Sequence, residues 1–269
     1  MNDVFSEILN KHSLSLYSAI PLKNCEVTRP HKLRHRGFTD TEPLSAIMLA
    51  VPYLTEQKDR NISSYAVSRD YHGYFAELFD AVLPELRKAY PQYRFAGFAD
   101  DSPINERDAA AAAGLGIIGD NGLLITEKYS SYVFLGEIIT NLPLECSPFP
   151  IKHCEGCGAC KRACPKGDGE CLSALTQKKG ALTEEEIAII KKHGSAWGCD
   201  ICQEVCPHTL KAIKDQTLYS DIEYFKTEAL PKLTSDMIDK MSDEEFSKRA
   251  YSWRKRETIK RNLEIIENN

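Results

Sequence analysis

The segment "HCEGCGACKRACPKGDGEC", residues 153–171, carries five cysteines, and "GCDICQEVCPHT", residues 198–209, carries three more. No other feature restricts the chain as much, because thiols at these intervals point to a shared inorganic centre. Cys154, Cys157, Cys160 and Cys164 follow C-x2-C-x2-C-x3-C with Pro165 behind them. That is the bacterial ferredoxin run, whose fourth cysteine serves the other cluster of a pair. Cys199, Cys202 and Cys206, again followed by a proline, form the second run. With Cys171 counted, the pattern assigns Cys154, Cys157, Cys160 and Cys206 to one 4Fe-4S cubane and Cys164, Cys171, Cys199 and Cys202 to the other. Structural zinc is the competing reading, but its paired CxxC knuckles lack the triple run and the trailing prolines. Cys25 and Cys146 stand outside both runs and read as small buried hydrophobes.

The chain of 269 residues has room for one large domain or two modest ones. Its start, "MNDVFSEILNKHSLSLY", reads as an amphipathic helix rather than a signal peptide, and no apolar run is long enough to span a bilayer. A cytoplasmic protein without a membrane partner is expected, and in that reducing compartment ten cysteines are poor disulfide material. The net charge of -5 argues against a general nucleic-acid coat. The local basic runs His31–Arg36 and Trp253–Arg261 read most simply as solvated faces.

Periodicity places "LSAIMLAVPYL", residues 44–54, in a buried strand, and "SYAVSRDYHGYFAELFDAVLPELRKAY" in a helix. "YRFAGFAD" alternates as a strand before the Ala-rich helix of "NERDAAAAAG", and "GLLITEKYSSYVFLGEIITNLPL" reads as a strand pair turning near Lys128. The predicted fold class is α+β. An α/β domain over 1–145 is followed by a ferredoxin-like two-cluster module over 146–215 and a helical segment over 216–269. "GLGIIG", residues 114–119, matches a dinucleotide fingerprint in letters alone, because a helix precedes it and a strand follows. Helix capping and tight turns explain it, although Gly116 and Gly119 also allow the backbone to approach a flat cofactor.

"YAVSRDYH", "ERDAAAAAGLGIIGDNGLLI", "FLGEIITNLPL", "HCEGCGACKRACP", "CLSALTQKKG" and "GCDICQEVCP" fall in an order that resembles the epoxyqueuosine reductase family, from about Pro52 to Asn262. The resemblance implies an N-terminal domain cradling cobalamin and two 4Fe-4S clusters fed by a low-potential electron donor. The implied reaction reduces an epoxide on a modified tRNA base to the alkene. It places the family's catalytic aspartate at Asp100 and cofactor contacts at Arg69, Asp70, Tyr71 and His72. Three departures stand out. Asp120 occupies a position where the family usually has lysine, the link from Cys164 to Cys171 is short, and the chain stops at Asn269 without the family's helical-repeat domain. A short form is therefore expected to hold tRNA weakly through Arg254, Lys255, Arg256, Lys260 and Arg261. Two other readings stay open: an electron carrier without corrinoid, and a cobalamin-dependent reductase of a small molecule.

Reducing an epoxide to an alkene takes two electrons and an acid for the departing oxygen. Asp100 suits that role, since it follows a strand and precedes a helix. Repulsion from Asp101, together with burial, is expected to raise one of the two pKa values. The simpler role for Asp101 or Ser102 is to cap the next helix. His153 and His208 flank the cluster cysteines and read as tuning groups, and Tyr132 and Phe134 as strand core.

Overall fold

The apolar run at 44–54 forms a strand in which every residue from Ser45 to Pro52 is buried, inside a four-stranded sheet. A computed structural model describes residues 3–167 and 171–268. Two compact units interleave along the chain, one built from the chain up to Pro52 and Tyr74–Cys157, the other from Tyr53–Gly73 and the chain from Gly158 onward. The units thus cut the chain differently from three consecutive stretches.

In the first unit the strands are β1 (Tyr17–Pro21), β2 (Ser45–Pro52), β3 (Phe95–Phe98), β4 (Ile117–Ile118), β5 (Leu124–Ile125) and β6 (Val133–Thr140). The main sheet runs in the order β1-β2-β6-β3, and each of its pairs is antiparallel. Helices and strands are mixed as expected, but their alternation does not produce parallel crossovers. The helices are α1 (Asp3–Lys11), α2 (Pro30–His35), α3 (Tyr71–Ala89), whose first three residues belong to the second unit, and α4 (Glu106–Ala112).

Both faces of β2 are covered. Ala46, Met48 and Ala50 pack with Ile20, Ile139 and the alanines 109–113 of α4 and its end, whose small side chains let the helix lie close to the sheet. On the opposite face Gly136 of β6 makes room for Phe75 of α3, and Phe5 of α1 meets Phe95 of β3 with ring centroids 6.4 Å apart.

Two local expectations fail. The N-terminal helix stops at Lys11, Ser13 takes a left-handed φ of 61°, and the chain re-enters as β1, which no strand signal announced. β5 does not pair with β6: it forms a hairpin with β4, inside "GLGIIG", while β6 lies between β2 and β3. Thr126 closes the Lys128 turn instead, as its Oγ1 donates to the Ser130 carbonyl at 3.0 Å.

The second unit contains α5 (Ala159–Ala163), α6 (Leu172–Thr176), α7 (Glu184–His193), α8 (Ile201–Glu204), α9 (Pro207–Lys214), α10 (Glu223–Lys226), α11 (Ser235–Lys240), α12 (Asp243–Ser247) and α13 (Arg256–Glu267). Trp197 and Tyr251 are fully buried at its centre with Ile62, Ile238, Ile259 and Leu263. Buried Asn262 ties α13 to the cysteine-bearing part by donating to the carbonyls of Thr176 at 2.6 Å and Ala196 at 2.8 Å. Among the described residues no helix is long and apolar enough to cross a membrane.

Gly136→Ala tests the α3–sheet contact. The added Cβ meets the buried Phe75 ring at 2.5 Å, so denaturant unfolding is expected to show a loss of about 1–3 kcal/mol.

Candidate functional site

Asp100 lies where β3 gives way to α4, on a turn closed by the Asp101 N–H donating to the Ala99 carbonyl at 2.6 Å. Its φ of 61° is left-handed, a strained choice for a residue with a Cβ. The Asp100 N–H donates to Glu106 Oε1 at 3.0 Å. Its side chain is exposed, on the first unit's surface. Such strain persists only when neighbouring bonds over-determine the backbone, and it collects at functional sites.

Asp101 differs from the expectation of a buried, mutually repelling pair. Its side chain is 75% exposed and accepts bonds from Lys32 and, at 2.7 Å, from Arg29. The Lys32 hydrogen bond, helped by both positive charges, holds its carboxyl below the usual aspartate value despite Asp100. Neither Asp101 nor Ser102 caps α4. That role falls to Asn105, whose side chain accepts from the Asp108 N–H at 3.3 Å. Ser102 faces inward: its hydroxyl donates to Glu137 Oε1 at 2.5 Å and accepts from the Ile104 N–H at 3.0 Å.

The cysteines form no disulfide. Cys154 ends a segment that pairs with β4, its N–H donating to the Ile118 carbonyl at 2.9 Å, and its Sγ accepts from the Asp120 N–H at 3.3 Å. In the second unit, α5 packs against α8, Cys164 ends α5, Cys171 precedes α6, and Cys199 and Cys202 bracket the start of α8. Burial pushes the Cys199 thiol up, against an N–H bond from Ile201. Cys171 and Cys164 lie close enough to add to the rise. Among the described residues no three His, Cys, Asp or Glu side chains are spaced to chelate one ion. A cubane spreads its thiolates over four irons, so its ligands need not crowd a single point.

Asp200, between Cys199 and Cys202, holds this loop. Its nearly buried carboxylate accepts from Arg60 at 2.7 Å, the Ser64 N–H at 2.7 Å, the Ser64 hydroxyl at 2.5 Å and the Ser63 hydroxyl.

The family profile described as "Epoxyqueuosine reductase QueG, DUF1730" matches residues 39–101. An epoxyqueuosine reductase of Gloeobacter violaceus is 33% identical over 235 residues, which are 81% of this chain and 73% of its own. The chain belongs to the epoxyqueuosine reductase family. A second relative, from Listeria monocytogenes, is 33% identical over 246 residues, 84% of this chain and 64% of its own. The fold agrees: an epoxyqueuosine reductase solved with an epoxyqueuosine-modified tRNA-Tyr stem loop matches 98% of this chain and 81% of its own at 24% identity, with a TM-score of 0.74. Epoxyqueuosine reductases are oxidoreductases, so the electron-carrier reading gives way to an enzyme.

Other positions singled out from the epoxyqueuosine reductase resemblance have local roles visible in the structure. Asp70 caps the start of α3, accepting from the His72 N–H at 3.0 Å and meeting His72 Nδ1 at 2.8 Å, while Tyr71 and His72 stack at 4.2 Å. Arg69 lies over the Tyr224 ring at 4.0 Å. Gly116 and Gly119 are crowded by Ile125 of the β4–β5 hairpin, which explains both glycines by packing within the first unit. In the basic tail, Arg256 bonds the Ile238 carbonyl at 2.6 Å and Asp243 at 3.0 Å, Lys260 bonds Asp239 at 2.6 Å, Arg261 bonds the Lys178 carbonyl at 2.9 Å, and Arg254 covers the Trp253 ring at 3.8 Å. Lys255 is exposed.

Glu106 and Glu137 escaped the sequence reading. Strand alternation in "FLGEIIT" puts Glu137 on one face with the apolar Leu135 and Ile139, and a carboxylate among core positions is the signal that marks it. For the second unit, Asp200→Ala is expected to cost about 3–5 kcal/mol, because Arg60 and two serines lose their buried partner. A lowered thermal unfolding midpoint, with the serines left intact, checks it.

Proposed function

We propose that this chain reduces the epoxide of epoxyqueuosine in tRNA to the alkene, with Asp100 as the acid. The observation that carries the reading is Asp100 itself: an exposed aspartate in strained left-handed conformation, tethered through its N–H, at the position to which the family motif points. The tRNA stem loop in a structure of the same fold supports the substrate.

Residues 1–145 take the corrinoid-binding role in this reading, with Arg69, Asp70, Tyr71, His72, Gly116 and Gly119 as the contacts to test. In the same reading residues 146–215 take the ferredoxin-like role and 216–269 the helical one, although the compact units divide the chain at other points. The charge of Cys171 and of Cys164 felt at Cys199, together with the spacing, favours a cubane completed by Cys202. The set Cys154, Cys157, Cys160 and Cys206 rests on spacing, together with the N–H bond that Asp120 gives Cys154. When bound, cobalamin reduced by such clusters supplies a two-electron nucleophile that only low-potential donors can regenerate.

The chain's own residues then have to manage protons. Epoxide, two electrons and two protons give alkene and water. Asp100 delivers a proton to the oxygen as its bond to carbon breaks. Asp101 is unsuited, since Lys32 and Arg29 keep it ionised. A location in the cytoplasm follows from the tRNA substrate. The tail's contribution to tRNA binding narrows to Lys255, as the other four cations are engaged within their unit.

Anaerobically prepared protein is expected to hold about eight iron and eight sulfide per chain, and Cys171→Ser to damage only the cubane shared with Cys164, Cys199 and Cys202. Zinc without a brown chromophore overturns the cluster assignment.

Asp100→Asn separates acid from scaffold. Turnover on epoxyqueuosine tRNA should fall about a hundredfold or more with corrin and cluster spectra retained, and Asp101→Asn should cost far less. Normal turnover by Asp100→Asn ends its assignment as the acid, and the opposite ranking of the two variants moves the role to Asp101.

A further inference from the structure

Glu137 sits in β6 between two other strands, opposite Met48 of β2 and Phe98 of β3. Its side chain therefore has no route to solvent along the sheet, and the residue is fully buried on the face covered by the alanines of α4. Ser102 satisfies Oε1, whereas Oε2 has no hydrogen-bond donor. α4 packs on β6, and the Glu106 carboxyl in its first turn is the neighbouring acid whose charge raises Glu137. Two ionised carboxylates, one of them fully buried, repel strongly, and neither has a hydrogen to offer the other. One proton removes both faults at once.

We propose that Glu137 and Glu106 share a single proton and that this acid pair positions the Asp100 turn. The proposal builds on the reading of Asp100 as the acid and adds two positioning residues behind it. Glu106 receives the Asp100 N–H at 3.0 Å, so its own place is set by what lies beneath it. With the proton present, Glu137 donates to Glu106, and Glu106 holds Asp100 at its left-handed φ. With the proton gone, Glu106 is driven from Glu137 and the turn loses that tether.

Burial, then Glu106, raises the Glu137 carboxyl well above the usual glutamate value, with Ser102 opposing. Cys25 faces Glu137 as well. Its thiol is pushed up to about 12, first by burial and then by Glu137, so it is neutral at physiological pH. Asp101, on the adjoining turn, is ionised and compensated by Lys32 and Arg29. The proton therefore resides on the buried member, and Glu106, which is partly exposed, carries the charge. The sign follows: a folded-state value raised above the unfolded one gives stabilisation that is complete below the ordinary glutamate range and is lost as pH rises toward the raised value.

Three measurements on the full chain test the pair. The first needs neither cofactor nor substrate: infrared spectroscopy of the wild type at neutral pH should show a protonated carboxyl band that disappears in Glu137→Gln. A wild type without that band, or a band indifferent to Glu137→Gln, overturns the shared proton. The second is hydrogen exchange at the Asp100 amide. Corrected for the intrinsic rate, protection should fall with rising pH in the wild type but not in Glu137→Gln, whose amide cannot lose its donor. Equal pH dependence in both overturns the clamp. The third uses the loaded enzyme: kcat on epoxyqueuosine tRNA should show an alkaline decline that Glu137→Gln flattens, with KM little changed. An identical decline in the two overturns the link to catalysis. Should Asp100→Asn turn over normally while its amide protection still follows the pair, the clamp stands and the acid role of Asp100 falls.

Discussion

The close seat of an alanine-rich helix on a fully buried strand governs the first unit. Alanines 109–113 press α4 against β2 and β6, and no larger side chain would leave the helix at that depth. Two consequences follow from this one contact. The turn that joins β3 to α4 has to be short, since β3 ends at Phe98 and α4 begins at Glu106. The face of β6 that looks toward α4 is sealed, which converts Glu137 from an ordinary strand residue into a buried acid whose protonation has structural weight. Site and core are thus one construction: the packing that buries Glu137 also decides where Asp100 stands.

Much of this was legible in the residues. The run at 44–54, the alternation of "YRFAGFAD" and the alanines of "NERDAAAAAG" each name an element whose burial is nearly complete, and complete burial leaves the clearest pattern. β1 was not legible because only Ala19 and Ile20 in it are buried, so half the periodic signal is missing. β4 and β5 are two residues each, too short for any period. The partners of Asp101 were hidden for another reason: Arg29 and Lys32 lie 72 and 69 residues away in sequence, and tertiary folding alone brings them to the turn. The two cysteine runs stand at the other extreme, because their spacing reads as a coordination pattern without knowledge of the fold.

In the second unit the same logic operates around Asp200. A carboxylate placed between Cys199 and Cys202 adds negative charge beside the Cys199 thiol, which by itself is unfavourable. Arg60, Ser63 and Ser64 compensate that charge with hydrogen bonds, so the aspartate works as the fixed end of the loop. Trp197, with its indole N–H donated to the Tyr65 hydroxyl at 2.7 Å, anchors the preceding residues to the same segment. Segment 53–73 therefore supplies the wall on which the second cysteine run is mounted, which explains why it belongs to this unit although it precedes the run by well over a hundred residues.

Asp100 to Ser102 bring the local chemistry together. Three consecutive residues are each held by a different element. The Asp100 N–H goes to Glu106 of α4, the Asp101 carboxylate to Arg29 and Lys32 at α2, and the Ser102 hydroxyl to Glu137 of β6. A left-handed aspartate relaxes unless its neighbours forbid it, and here the neighbours are tied on both sides. The division of labour between the adjacent aspartates follows from these ties. Asp101 is ionised and engaged, which makes it an anchor and unfits it to arrive protonated. Asp100 is fixed through its backbone N–H by Glu106 of the following helix, a tether of another kind from the two cations that hold the Asp101 carboxylate.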